Sequence, residues 1–352
     1  MTERYTFKAL PQVKKTGVLL VNLGTPDSPK TMDVRRYLTE FLNDPRVIDI
    51  NAVGRAALVN GIIVPFRAPQ SAKIYKELWD MWDGESPLLT YGKILKDKIQ
   101  AKFADQDVTV ELAMRYQNPS LDDVMERMEK ASYDQIIVVP LFPHYASAST
   151  GSAVEKVMKL MRKWWAIPEV KIVAEFFDHP GYIDAFVEKA NMHKMEDYDH
   201  VIFSYHGLPK RQLTKVHPEL ECANCDCHKA YKPEYRLCYQ NECYETTRLI
   251  ASKLGLKEDD YTVAFQSRLG KTPWLDPYSD QIVEEQAKAG SKKLLMFSPA
   301  FIADCLETSV EIGVEYQEIF EEHGGEKVQL VESLNDSDTW INAVESMIKE
   351  RM

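Results

Sequence analysis

The chain has no apolar stretch approaching the ~20 residues that a membrane-spanning helix requires. Its first segment, Met1 to Gly17, carries Glu3 and scattered lysines but no apolar run of the signal-peptide kind, so a cytoplasmic protein is expected. Positive charge is also short, with 43 Lys and Arg against 54 Asp and Glu and a net charge of -11. That balance excludes nucleic acid as a main partner, because phosphate binding needs a cationic face. An acidic surface suits an enzyme, or a protein that handles cations. The first strand ends at a single glycine, in Gly24-Thr25-Pro26-Asp27, rather than at G-x-G-x-x-G, so no dinucleotide site is expected. There is no low-complexity tract and no internal repeat. Cysteine is scarce except in one place: five of the six fall between Cys222 and Cys243. In a reducing cytosol such a group reads as metal or cluster ligands rather than disulfides.

What the chain does contain is a regular alternation of strands and helices. Thr16 to Leu23 reads as a buried strand, followed by an amphipathic helix from Asp33 to Leu42. Strands are then expected at Val108 to Arg115, Gln135 to Phe142 and Val170 to Phe176, with helices at Leu121 to Ala131 and Ala153 to Trp165 between them. The second half repeats the theme with strands at His200 to Tyr205, Tyr261 to Gln266, Lys293 to Ser298 and Val328 to Leu334. Its helices are expected at Tyr244 to Leu254, Asp280 to Ala289, Ile302 to His323 and Thr339 to Lys349. Strands that are nearly continuous Val/Ile/Leu runs imply parallel sheets covered on both faces. The fold class is α/β: two doubly wound Rossmann-like domains, each a parallel four-stranded sheet flanked by helices. The expected division is 15–180, then 181–335 with a cysteine-rich insertion at 213–243, then a C-terminal helix in 336–352. Ligands are expected in a cleft between the two halves. The apolar stretch Val53 to Phe66 reads equally as core or as an exposed lip.

Two constellations stand out. In Phe203-Ser204-Tyr205-His206-Gly207-Leu208-Pro209 a strand runs into a histidine and is broken by Gly and Pro. His206 is thereby placed at the carboxyl end of a strand, the ligand-facing edge of an open sheet, and histidine exchanges protons near neutral pH. The bland alternative is a histidine bonded to a neighbouring loop. About a hundred residues later Asp304, Glu307, Glu311 and Glu315 are spaced by three, four and four, along one face of the expected helix. Such a row is usually a solvated face. Here no lysine or arginine relieves it, and like charges at i, i+4 destabilise a helix by a few tenths of a kcal/mol each. A path for a divalent cation or for protons is the sharper reading, since oxygen ligands and a histidine hold Fe²⁺ weakly enough to release it.

The runs VNLGTPDSP, FRAPQSAKIY, MRYQNPS, LFPHYASASTGS, FSYHGLP, FQSRLGKTPWLDPY and SPAFIADCLETSVEIGVEY follow the order and spacing of ferrochelatase, over roughly residues 15 to 335. This resemblance implies the class I chelatase fold and insertion of Fe²⁺ into protoporphyrin IX, the terminal step of haem synthesis. Coproporphyrin or another tetrapyrrole is the alternative substrate. By the same resemblance His206 and Glu307 are the catalytic pair, with the metal guided by His206, Glu307, Glu311, Glu315 and Asp304. It assigns Arg67, Tyr75, Ser86 and Ser267 to the pocket mouth, where propionates are met. Leu23, Arg115, Tyr116, Trp274 and Phe301 are assigned to the macrocycle's faces. Leu23 replaces the Met or Tyr of other members, which removes a metal-relay role for that side chain. Read without the family, these aromatics would be core residues.

For Cys222, Cys225, Cys227, Cys238 and Cys243, spacing alone favours zinc. The resemblance favours a [2Fe-2S] cluster instead, because several bacterial ferrochelatases carry one on an internal insertion just after the histidine loop. Cys222, Cys238 and Cys243 are the firmer ligands, and Cys227 is preferred to Cys225. Cys305 reads as a packed side chain. The remaining expectations are peripheral contact with the inner face of a membrane through 53–66 and a porphyrin or haem carrier as the non-enzymatic rival; no oligomeric state is read from the sequence.

Overall fold

The computed structural model describes residues 14–219, 225–268 and 272–352. Its first half opens with β1 (Thr16–Gly24), α1 (Thr31–Leu42), α2 (Ala52–Leu58), a π-helical turn at Val59–Ile63, α3 (Val64–Met81) and α4 (Pro87–Lys102). It continues with β2 (Val108–Tyr116), α5 (Leu121–Ala131), β3 (Gln135–Pro140), a π turn at Ser147–Gly151, α6 (Ser152–Met161) and β4 (Glu169–Ile172). The second half contains α7 (Pro180–Ala190), β5 (His200–His206), α8 (Lys210–Val216), α9 (Tyr239–Leu254), β6 (Tyr261–Gln266), α10 (Ser279–Ala289) and β7 (Lys293–Phe297). It closes with a π-helix at Glu307–Tyr316, α11 (Gln317–Glu322), β8 (Lys327–Leu330) and α12 (Asp338–Lys349).

The strands form two all-parallel sheets with matching orders, β2-β1-β3-β4 and β6-β5-β7-β8. Period-two alternation explains why both faces of each are covered. In β1, Val18 and Leu20 enter one core while Leu19 and Val21 enter another with α5 and α6. In β5, Val201, Phe203 and Tyr205 face inward, and Ile202 faces the core shared with α10 and the helix after β7. The inner core is continuous across the two sheets through residues of α4, α7, α9 and α12. Trp340 of α12 is fully buried there, its ring 5.5 Å from Phe176 and 6.4 Å from Tyr182. The C-terminal helix packs against both α7 and α4, so it belongs to the seam between the halves.

Several sequence expectations shift: the strand expected to reach Leu334 ends at Leu330, and the helix expected from Ile302 begins at Leu306. The strand expected to reach Phe176 ends at Ile172, where its pairing with Val138 ends. The helix expected to reach Trp165 ends at Met161, leaving Trp165 exposed. The run 53–66 is helical and splits its faces: Val59 and Val64 are buried, while Val53, Ile62 and Phe66 are exposed. No described helix is long and apolar enough to cross a membrane.

Candidate functional site

In each sheet the connections leave the central strand in opposite directions, so the crevice at a topological switch point lies at the carboxyl ends of β1 and β3 and of β5 and β7. His206 is the last residue of β5, half-buried, and its Nδ1 lies 2.7 Å from the Gly207 carbonyl oxygen. A carbonyl can only accept, so Nδ1 carries the hydrogen in that contact and Nε2 is the ring nitrogen left unengaged by it. Phe301, in the loop after β7, stands edge-on with its ring centre 6.4 Å from the imidazole. The His206 carbonyl accepts from the Tyr239 hydroxyl at 2.8 Å, which fixes the strand end against α9.

Gln266 is the register partner of His206 on β6 and is 2% exposed. Its Nε2 donates to the Glu307 carbonyl at 3.2 Å and to Glu311 Oε2 at 3.0 Å, and its Oε1 accepts from Ser204 at 2.7 Å. Gln266 therefore ties the histidine strand to the start of the acidic helix. The Glu307 side chain is surrounded by groups that keep their protons. Burial pushes Cys305 well up, helped by Glu307 itself. Burial also raises Tyr75, again with help from the Glu307 charge, and raises Tyr37, where Tyr75 and then Glu307 add to it. These three groups can donate to the carboxylate or stabilise it, and none competes with it as an anion.

The four carboxylates do not form a single row. Asp304 lies before the helix, 8% exposed, with Oδ2 accepting from Asn335 Nδ2 at 2.7 Å and Oδ1 from Thr308 at 3.3 Å. Its backbone N–H donates to Asn335 Oδ1 at 2.9 Å, so it closes the loop after β7. From Glu307 onward the backbone is π-helical, an arrangement found often at functional sites and invisible to a 3.6-residue pattern. Glu311 is engaged by four donors and Glu315 stands exposed at the far end. There partial burial, then the charges of Glu311, Glu77 and Glu318, push the Glu315 carboxyl above its ordinary range. Among the described residues no three of His, Cys, Asp and Glu are grouped so as to hold a metal ion as they stand.

The expected porphyrin contacts divide as well. Tyr75 is half-buried beside Glu307, and the Arg67 charge one side of it on α3 is exposed. Leu23 is half-buried at the end of β1 and packs with Tyr116, Tyr37 and Tyr75. Ser267 follows Gln266 with φ +64, and Trp274 bridges to Pro209 beside the histidine loop. Ser86 is 2% exposed at the start of α4, with its carbonyl taken by the first turn. Tyr116 is fully buried, and its hydroxyl donates to Asp44 at 2.9 Å. Arg115 is likewise committed, with Nη2 2.5 Å from Asp44 and Nε 2.7 Å from the Ser152 hydroxyl. Burial disfavours the Asp44 charge, yet Ser152, the Arg46 N–H and Arg115 hold the carboxyl below its ordinary range.

Sequence reasoning missed Gln266, Tyr37 and Tyr316. A polar residue ending an otherwise apolar strand beside the histidine strand was the only signal for Gln266.

Of the cysteines, Cys222 lies outside the described residues. Cys227 and Cys243 are fully buried, Cys238 is 8% exposed at the N-cap of α9, and Cys225 is half-buried. Cys225 and Cys238 line one small void with His217 and Tyr235. Burial pushes the Cys243 thiol well up, with further contributions from Glu242, Cys238 and Cys227. Arg248 donates to the Cys227 carbonyl at 3.1 Å, and its buried Nη2 has no partner. A separate cavity of about 730 Å³ lies between Glu175, His179, α7 and α12 and includes none of the strand-end residues.

The ferrochelatase family model matches residues 15–352. A ferrochelatase of Coxiella burnetii (strain Dugway 5J108-111) is 41% identical over 99% of this chain and 98% of its own length. One from Legionella pneumophila (strain Lens) is 40% identical over 96% and 99%. Among solved structures, SirB from Bacillus subtilis with Fe³⁺ aligns over 96% of this chain and 95% of its own with a TM-score of 0.55 and 11% identity, a likeness of fold. With two sheets of matching topology, a histidine at the second switch point and near-full-length identity of this order, the chain belongs to the ferrochelatase family.

Proposed function

We propose that this chain is a ferrochelatase that inserts Fe²⁺ into protoporphyrin IX at the His206 end of β5. The observation that carries the reading is the joining of His206, through its strand neighbour Gln266, to the first residue of the acidic helix, Glu307. Insertion replaces two pyrrole N–H protons by one Fe²⁺ and releases two H⁺, so the site needs a base and a route for a dication. His206, with Nδ1–H held by the Gly207 carbonyl, presents Nε2 as that base. Glu307, flanked by protonated Tyr75 and Cys305, carries the negative charge that favours the imidazolium and the incoming metal. Distorting the macrocycle to bare its nitrogens costs ~1–5 kcal/mol, which contacts remote from the nitrogens supply. Arg67 is the fork suited to a propionate. Glu307→Gln is expected to keep porphyrin binding and lose turnover; a wild-type protein that binds porphyrin tightly and never inserts Fe²⁺ would make it a carrier. Faster turnover of coproporphyrin than of protoporphyrin would reverse the choice of substrate.

The cysteine segment is the place for a sulfur-ligated group: Cys227, Cys238 and Cys243 are buried, and Arg248, paired with Glu245 at 2.8 Å, also donates to the Cys227 carbonyl. Cys238, Cys243, Cys227 and Cys222 would hold it, with Cys225 as the substitute and zinc as the alternative metal. A [2Fe-2S] group would supply one-electron exchange, and zinc only a crosslink. Iron and acid-labile sulfide analysis of protein purified without oxygen decides between them. Peripheral contact with a membrane would run through the exposed Val53, Ile62 and Phe66. Ile62→Asp should weaken co-sedimentation with liposomes, and unchanged binding removes the assignment.

A further inference from the structure

Glu311 is bonded unlike a ligand in a metal path. Its Oε1 accepts from the Ser267 backbone N–H at 3.0 Å and from the Tyr316 hydroxyl at 3.1 Å. Its Oε2 accepts from the Ser267 hydroxyl at 2.6 Å and from Gln266 Nε2 at 3.0 Å. A carboxylate offers about four acceptor sites, and all four are taken. Bonds to an ionised acceptor are the strong ones, so displacing several of them for a passing cation is costly. The geometry also explains Ser267. A serine at φ +64 is uncommon, and its N–H and O–H both point at the same carboxylate, which over-determines the conformation.

We propose that Glu311 is a positioning residue, a latch that fixes the Gln266-Ser267 end of β6 beside His206, and not a carrier of the metal. The inference rests on the strand-end site being the porphyrin site. Through Gln266 the latch reaches the Glu307 carbonyl as well, so one carboxylate holds both the strand neighbour of the histidine and the start of the π-helix. It also directs the single hydroxyl proton of Ser267 inward, leaving that oxygen to the site only as an acceptor.

Two variants separate the latch from a metal path. Glu311→Ala removes the acceptor outright. Tyr316→Phe removes one donor from a residue 3% exposed, which no substrate touches, and guards against misfolding of the first variant. Fe²⁺ and porphyrin are varied separately under anaerobic conditions, porphyrin binding without metal is followed by fluorescence, and Tm is recorded for each protein. The latch predicts a porphyrin Kd raised about tenfold in Glu311→Ala and several-fold in Tyr316→Phe, with the KM for Fe²⁺ within twofold of wild type. Glu311→Gln should recover part of the loss, because it keeps one acceptor for the Ser267 N–H. A raised KM for Fe²⁺ with unchanged porphyrin Kd overturns the latch, as does a Tyr316→Phe protein equal to wild type in porphyrin Kd. His206→Ala is the control: if it turns over normally the site reading itself fails, and if it is dead the latch is judged alone.

Discussion

Replacing Gly207 by alanine tests how tightly the fold sets the histidine. A Cβ built at this position lies 2.7 Å from the Gln266 carbonyl oxygen and 3.4 Å from Trp274 Cε3. The first contact is to backbone and cannot be relieved by turning a side chain. The same carbonyl accepts the Gly207 N–H at 2.8 Å, so the methyl group drives apart the two chains that this bond holds together. An ordinary C···O contact is ~3.3–3.6 Å, so β5 and β6 must part by about 0.6 Å or more at their ends. Overpacking of this kind costs ~1–3 kcal/mol in stability. The His206 ring is drawn with Gly207, because its Nδ1 is bonded to the Gly207 carbonyl while Tyr239 holds its own carbonyl in place. A misplacement of 1 Å costs ~100-fold in a positioned reaction, so a shift about half as large predicts a kcat/KM lowered about tenfold. Chemical denaturation gives the first quantity, and anaerobic loss of porphyrin fluorescence per folded molecule gives the second. A Gly207→Ala protein with wild-type turnover refutes the claim that the β5–β6 contact sets the base, whatever its stability.

Asp49 joins α1's exit to α8, with Arg211 Nη2 and Lys215 Nζ each 2.6 Å away. The Arg211 bond, then Lys215, hold its carboxyl down at about 2, below the usual 3.8. A lowered folded value means stability present above pH ~4 and lost as pH falls toward 2. Discounted for the half-exposed partners, Asp49→Asn should cost ~1 kcal/mol at pH 7, and the difference from wild type should shrink below pH 4 in denaturant titrations. Trp340→Ala should cost ~3–5 kcal/mol by the same assay, since the ring is fully buried against Phe176. Trp340→Phe should cost far less, because the indole N–H has no partner to lose. Asp304→Ala should lower Tm, since it strips acceptors from Asn335 and Thr308, while leaving the KM for Fe²⁺ unchanged.

The strands were legible because a strand covered on both faces must be apolar at every position, as Val18 to Val21 and Ile136 to Val139 are. His206 was legible because Gly and Pro stop a strand where the sequence says they do. The acidic row was misread as one α-helical face. Asp304 is drawn into the β7 loop by Asn335, 31 positions later, and the turn from Glu307 is π-helical, neither of which a periodic pattern can encode. Arg115 and Tyr116 were placed at a ligand face, yet Asp44, some seventy residues earlier, takes both side chains. Such long-range polar pairs leave no trace in local spacing. Gln266 escaped notice for the same reason, since its importance lies in partners on β5 and on the helix after β7.

The most direct test of the central claim is anaerobic incubation of wild type and His206→Ala with Fe²⁺ and protoporphyrin IX, following porphyrin fluorescence. The account predicts metal insertion by wild type and a loss of at least ~100-fold in His206→Ala with porphyrin binding retained. Equal turnover by the two proteins would contradict it, and would move the chemistry away from the end of β5.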